Sequence, residues 1–340
     1  MRHTAAKAFA ALAMTTAALA TVSVPAMADP TVTPAAQDIV GAGSDTTQAL
    51  LNQLSSDYNA TIPATTPHLY SWDATGSSSI TPKTGASTIL RPNGSGAGIS
   101  ALNANTSATL DFARSSRPRS ASDPSTILFV AFAKDAVTWS APSGGLAPAN
   151  LTTQDLNDIY SCKVGKTDWS NFGGSAGTIK PYLPQLSSGT RSFFLGAIGN
   201  PTLGSCVQTY TPEENEGTDA ALQTADVIFP YSAGHWVGQA NGHVTATDNK
   251  GNLTLRSING VAPLTTAGAL NAAFANPTYG RVLNNVVRAA EWNASPATTQ
   301  STALRAIFGP TGYICSTPGK AAIANYGYLT LPAAACGLTS

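Results

Sequence analysis

Charge is scarce in this sequence. Asp, Glu, Lys and Arg make up 11% of its 340 residues, against roughly 25% in an ordinary soluble domain. The two signs balance at 18 each, so the chain has no basic field of the kind that holds a nucleic-acid backbone. Histidine is as rare, and neither C-x-x-C nor H-x-x-x-H occurs. A structural metal site lacks its usual ligand spacing, and no metal or cofactor is expected. No P-loop, dinucleotide fingerprint or internal repeat is present. After residue 28 no apolar run approaches the roughly 20 residues that span a bilayer.

What is present is a chain 43% hydrophobic, enough for a sizeable core and outside the disordered and fibrous classes. Residues 1–28 read as a removed signal peptide. Arg2, His3 and Lys7 form a basic start, an Ala-rich apolar run follows, and Ala26-Met27-Ala28 is an A-x-A cleavage site. Cleavage removes two positive charges, Arg2 and Lys7, and no acid, so the remainder is still about neutral. No cysteine lies near the cleavage site to carry a lipid, so a secreted, untethered protein is expected; it is also expected to be a monomer. Cys162, Cys206, Cys315 and Cys336 all lie in the exported part. Four cysteines in a secreted chain allow three connectivities, and the nearest-neighbour pairing, Cys162–Cys206 and Cys315–Cys336, is the one expected.

Residues 29–36 form a Pro/Thr/Ala tether. From Gln37 short apolar runs alternate with helical stretches. A strand at 38–40 leads through glycines into a helix over 46–58 with Leu50, Leu51, Leu54 and Tyr58 on one face. The continuous apolar run 127–133 reads as a buried strand. Further strands are expected at 179–183 and 225–231, and helices at 153–160 and 192–198. Segments 141–150, 170–178 and 238–252 read as loops or hairpins. The alternation predicts an α/β fold.

One type of turn occurs three times. Gly41-Ala42-Gly43-Ser44-Asp45-Thr46-Thr47 follows a strand and opens a helix. Asn93-Gly94-Ser95-Gly96-Ala97-Gly98 precedes a short helix around 99–102. Ser187-Ser188-Gly189-Thr190-Arg191 follows a strand and opens another helix. The first N–H groups of a helix have no intrahelical acceptor and carry a partial positive charge. Glycine lets an anion approach them, and Ser and Thr hydroxyls add uncharged donors. Three such ends meeting at one point would surround a small oxyanion, with each bond to a charged group contributing about 1.5–3 kcal/mol. Each turn alone is equally an ordinary helix cap, and Asp45 with Gln48 has capping-box spacing.

The segment Gly94-Ser95-Gly96-Ala97-Gly98-Ile99, then 110–118 (LDFARSSRP), resembles the phosphate-binding proteins of ABC phosphate transporters. Ser187-Ser188-Gly189-Thr190-Arg191 is similar to that family's G-S-G-T-R turn. Leu156-Asn157-Asp158-Ile159-Tyr160 with Trp169, Asn215-Glu216-Gly217-Thr218-Asp219, and residues 308–313 are weaker likenesses. The resemblance covers about residues 38–335. It implies a two-lobed type II periplasmic-binding-protein fold with a two-stranded hinge, the chain crossing near 131–137 and 281–288. Lobe one would then hold 37–133 with 283–340, and lobe two 134–282. It implies no catalysis, a small oxyanion such as phosphate as ligand, and an ABC permease as a possible partner. The ligand set it implies is Ser44, Asp45, Thr46, Ser95, Gly96, Ser116, Arg117, Ser188, Gly189, Thr190 and Arg191. Two departures stand out. Pro184 stands where some members have an arginine, which leaves Arg117 or Arg191 as the cation. Ser116 stands where an Asp often accepts the ligand's proton. Asp45 could be that acceptor, could mark a cationic, zwitterionic or other organic ligand, or could simply cap its helix.

A formal G-x-S-x-G at 173–177 lacks the strand before it and the helix after it that a nucleophile elbow needs. A hydrolase reading would require Ser175 beside His235 or His243.

Overall fold

The computed structural model describes residues 29–340 of the chain; the expected signal peptide lies outside the described residues. The elements are β1 (Ile39–Gly43), α1 (Gln48–Asn59), β2 (Leu69–Ser71), β3 (Ser79–Ile80), β4 (Ile89–Leu90), α2 (Ser95–Ala104), β5 (Phe112–Ser115) and the long β6 (Ile127–Pro142). There follow β7 (Asn150–Leu151), α3 (Thr153–Tyr160), β8 (Lys180–Pro181), α4 (Gly189–Ala197), β9 (Val227–Ser232), α5 (Ala233–Ala240), β10 (Leu253–Leu255) and β11 (Ser257–Ile258). The last are β12 (Gly280–Arg288), α6 (Ala289–Trp292), α7 (Thr299–Phe308), α8 (Thr317–Asn325) and β13 (Leu329–Thr330).

A mixed sheet runs in the order β2-β1-β5-β12-β6-β9-β8. β2, β1 and β5 are mutually parallel, as are β9 and β8. β12 is antiparallel to both β5 and β6. The first part of β6 pairs with β12, and its later part, from Val137, pairs with β9 and β10. β6 thus joins two regions of sheet, with β12 beside it at the junction. The α/β class follows from the strand–helix alternation in the chain. No helix among the described residues is long and apolar enough to cross a membrane.

Apolar burial follows this division. Leu50, Leu51 and Leu54 of α1 pack with Phe112, Val130, Leu283, Leu304 and Phe308. On another surface Ile99 and Leu102 of α2 meet Ile127, Phe129 and Val286. Beyond Ala136 the core is a different set, with Trp139, Tyr160, Trp169, Phe194 and Phe274. The Trp139 and Trp169 rings stack at 6.0 Å. Cys162–Cys206 and Cys315–Cys336 are the two disulfides, the nearest-neighbour pairing.

Several boundaries differ from expectation; β6 runs past 133 to Pro142, and α4 begins at Gly189 and not at 192. α2 begins at Ser95, inside the glycine-rich turn. Gly94 is its N-cap with φ 91°, a conformation that costs glycine little, and Gly98 packs against Gly43, where a Cβ would come within 2.7 Å of the Gly43 Cα. The strand expected at 179–183 shortens to β8, Lys180–Pro181, although Tyr182 N still donates to the Ile228 carbonyl at 2.9 Å. The loop expected at 238–252 loses its start to α5, whose Ser232 cap was not singled out.

One ion pair is sealed in this core. Lys83 and Asp111 are both 0% exposed at 2.6 Å. Lys83 also donates to the Asp38 carbonyl, and Asp111 accepts from the Val40 amide at 2.7 Å. Breaking such a pair leaves an uncompensated buried charge. K83M is therefore expected to cost about 3–5 kcal/mol in denaturant unfolding, and K83M/D111N clearly less, because Asn is neutral and still accepts from Val40. Equal losses in the two variants would contradict this account.

Candidate functional site

The three glycine-rich turns meet, and glycine contacts bring them together. Turn one touches turn two through Gly43 and Gly98. Turn two touches turn three where a Cβ on Gly94 would lie 2.5 Å from the Ser187 carbonyl; Gly96 N donates to that carbonyl at 3.0 Å. At the centre, a Cβ on Gly189 would lie 2.4 Å from both the Ser95 and the Ser116 hydroxyls. Only glycine fits there. Ser95 Oγ accepts from Ser116 N at 3.0 Å and lies 3.3 Å from Ser116 Oγ. Thr46 Oγ1 and Thr190 Oγ1 are 3.2 Å apart. Ser44, Thr46, Ser95, Ser116 and Thr190 are all completely buried. Ser44 Oγ and Thr47 Oγ1 have no hydrogen-bond partner.

The cation at this point is neither Arg117 nor Arg191. Arg117 forms a two-pronged pair with Asp123, both bonds at 2.7 Å. Arg191 donates to the Pro184 carbonyl. Instead Arg281 of β12, fully buried, donates to Thr190 Oγ1 at 3.1 Å and to Asp135 of β6 at 2.8 and 3.0 Å. Its Nη1 is buried without a partner. Asp135 also accepts from Ser232 Oγ and Gly234 N, which places a carboxylate on the start of α5, a fourth helix start in the network. A signal for both residues was available. Asp135 interrupts the apolar stretch 127–142, and Arg281 precedes the apolar face of β12.

Acidic groups crowd the same place. Asp45 does not cap α1, whose cap residue Thr47 makes no side-chain cap bond. Its carboxylate accepts from Asn215 Nδ2 at 2.9 Å. Burial, followed by the nearby Asp248 and Glu214 carboxylates, holds Asp45 well above the usual carboxylate range. At turn three Ser188 caps α4 by accepting from Arg191 N. Ser188 Oγ then donates to Glu214 Oε2 at 2.6 Å, and Thr190 N donates to the same oxygen at 3.3 Å. The donors expected to await a ligand on α4 are thus taken by a side chain of the chain itself. Glu214 carried no motif, so sequence reasoning passed over it.

His235 locks α5 to turn one. Its Nδ1 lies 2.8 Å from the Thr46 carbonyl, and its Nε2 lies 2.6 Å from Asp248 Oδ1. Both partners only accept, so the ring needs a proton on each nitrogen. Burial opposes that charge, yet the Asp248 carboxylate and the Thr46 carbonyl outweigh it and lift the pKa to about 9. Arg114, fully buried, supports turn one from beneath by donating to the Ser44 and Trp72 carbonyls. Ser175 is exposed in its loop, while the ring nitrogens of His235 are engaged with Thr46, Tyr328 and Asp248. Among the described residues no group of three His, Cys, Asp or Glu could hold a metal ion. A cleft of about 420 Å³ is lined by Arg117, Arg119, Ser192, Phe193 and Pro277, among others.

The PBP superfamily domain matches residues 28–282. None of the curated proteins matches the chain. Among solved structures, an ABC-type phosphate transport receptor from Vibrio cholerae is 20% identical, with 86% of this chain and 98% of that chain covered and a TM-score of 0.56. A phosphate-binding protein from Stenotrophomonas maltophilia is 16% identical, with 87% and 91% covered and a TM-score of 0.54. A high-affinity periplasmic phosphate-binding protein bound with phosphate is 18% identical, with 87% and 91% covered and a TM-score of 0.55. At these identities the likeness is one of fold, the type II periplasmic-binding arrangement.

The His235–Asp248 pair makes stability depend on pH. A histidine raised from about 6.5 in the unfolded chain to about 9 in the fold contributes its full stability below about 6.5. It loses that contribution as pH rises through about 9. The amount is on the order of 3 kcal/mol. Asp45, also raised, acts in the same direction. The melting temperature should fall between pH 6 and pH 9.5, and H235Q should flatten that fall. A wild-type melting temperature that holds steady or rises over this range would count against the doubly protonated ring.

Proposed function

This chain belongs to the PBP superfamily, and on that premise we propose that it is a secreted solute-binding protein that captures phosphate or a related protonated oxyanion without covalent chemistry. One observation carries the reading. A β-carbon on Gly189 would lie 2.4 Å from both the Ser95 and the Ser116 hydroxyls, so the starts of α2 and α4 face one point, with Thr46 of turn one alongside.

The donor inventory suits an oxyanion. Thr46, Ser95, Ser116 and Thr190 supply hydroxyls, the helix starts supply partial positive charge, and Arg281 Nη1 supplies a buried guanidinium N–H that lacks a partner. The acids select among oxyanions. A fully ionised oxyanion beside the Asp45 carboxylate meets repulsion there, whereas hydrogen phosphate brings a proton that this carboxylate can accept. The same chemistry admits arsenate and disfavours sulfate.

In this reading residues 37–133 with 283–340 form one lobe and 134–282 the other, with β6 and β12 as the hinge. The grouping of buried apolar residues before and after Ala136 supports it, and each disulfide then staples one lobe internally. An A-x-A site with no nearby cysteine supports release rather than tethering. A permease partner and the monomeric state belong to the same proposal.

Calorimetry on protein stripped of bound anion tests it. Phosphate and arsenate should bind and raise the melting temperature, with sulfate at least tenfold weaker. S95A and T190V should each weaken phosphate by about tenfold, equivalent to about 1.4 kcal/mol. No heat and no thermal shift with phosphate, arsenate, sulfate or molybdate would overturn the reading.

A further inference from the structure

Three consecutive residues touch all three glycine-rich turns. Glu213 accepts from Asn93 Nδ2 of turn two with both carboxylate oxygens, at 2.9 and 3.0 Å. Glu214 takes Ser188 Oγ and Thr190 N of turn three. Asn215 donates to Asp45 of turn one. The segment is anchored from behind, because the Asn215 carbonyl accepts from Tyr231 OH at 2.7 Å and Gln239 Nε2 at 2.8 Å. Asn215 itself has φ 66°, the left-handed region that Asn tolerates better than most residues.

We propose that Glu213-Glu214-Asn215 is an internal plug, in which the Glu214 carboxylate occupies the start of α4 as a stand-in anion that the solute must displace. The inference rests on the oxyanion reading of the site. Glu214 is 1% exposed. Its Oε2 holds the cap hydroxyl and an amide of α4's first turn, the groups a bound oxyanion would use. Its Oε1 is buried with no partner at all, as is Asn215 Oδ1. A carboxylate oxygen withdrawn from water and left without a donor is unfavourable, so the plugged arrangement is satisfied on one side only. Turning the Glu214 side chain out to water would relieve that oxygen and free Ser188 Oγ and Thr190 N together. The backbone anchor at Asn215 need not move.

A plug of this kind sets specificity. Any anion that enters must outcompete an intramolecular carboxylate already at high local concentration. A weakly basic anion with few acceptor oxygens gains too little to do so. A tetrahedral oxyanion can, because it also engages Ser95, Ser116, Thr46 and Arg281, which Glu214 does not reach.

The test uses the full mature chain stripped of anion, with inorganic phosphate as the probe, on wild type, E214Q and E214A. Phosphate affinity should rise at least tenfold in both variants. In ligand-free protein, the Thr190 amide should exchange with solvent at least tenfold faster in E214A than in wild type, while the Phe194 and Leu195 amides of the same helix keep their rates. That second readout needs no ligand, and it separates a local plug from general unfolding. Affinity that falls or stays level in E214A, or Thr190 exchange that does not change, overturns the plug. Faster Thr190 exchange with no phosphate binding in any form supports the plug and overturns the oxyanion reading instead.

Discussion

Everything at this site depends on the absence of a side chain at position 189. Because Gly189 carries none, the first turn of α4 can press against the Ser95 and Ser116 hydroxyls, closer than any β-carbon would allow. The turns that open α2 and α4 are thereby brought into contact, and their helix starts point towards one place. Orphan amides at a helix start require acceptors. Bringing several of them together creates a demand for negative charge in a volume from which water is largely excluded. The acids of the site answer that demand. Asp135 satisfies α5, and Glu214 satisfies α4. Asp45, beside turn one, has its pKa raised by burial and by its acidic neighbours.

The charge economy of the chain fits this arrangement. With so few ionisable residues overall, a buried set of Arg114, Asp135, Arg281, His235 and Asp248 is a concentrated investment at one place. Buried ion pairs are weak sources of net stability, so their value here is positional. Arg281 links β12 to Thr190, and Asp135 links β6 to the start of α5. His235 ties α5 to the turn after β1. The strands of the proposed hinge therefore hold groups of the site directly, and bending there would change the spacing of the helix starts.

Much of this was legible in the chain. The three turns and the α/β alternation could be read, because glycine, Ser/Thr caps and apolar periodicity are local signals. The disulfide pairing was also expected. The cation and the acids were not legible in the same way. Arg117 and Arg191 were plausible because they sit beside the turns in sequence, yet Asp123 and the Pro184 carbonyl hold them elsewhere. Arg281 lies far along the chain, on β12 in register with Asp135 of β6, and reaches Thr190 from there. Its one trace in the sequence is a charged residue at the head of an apolar strand. Asp45 has capping-box spacing with Gln48, but Asn215 takes its carboxylate. Glu214 was hidden for a similar reason: its partners, Ser188 and Thr190, are 24 to 26 residues away, and no local pattern marks the contact.

The most direct measurement is a crystal structure of the protein soaked with arsenate, with data collected at the arsenic absorption edge. The account predicts one anomalous peak, from an arsenate whose oxygens lie within hydrogen-bond distance of Ser95, Ser116, Thr190 and Arg281 Nη1. A peak confined to the cleft of Arg117, Arg119 and Phe193, or no ordered arsenic at saturating arsenate, would contradict it.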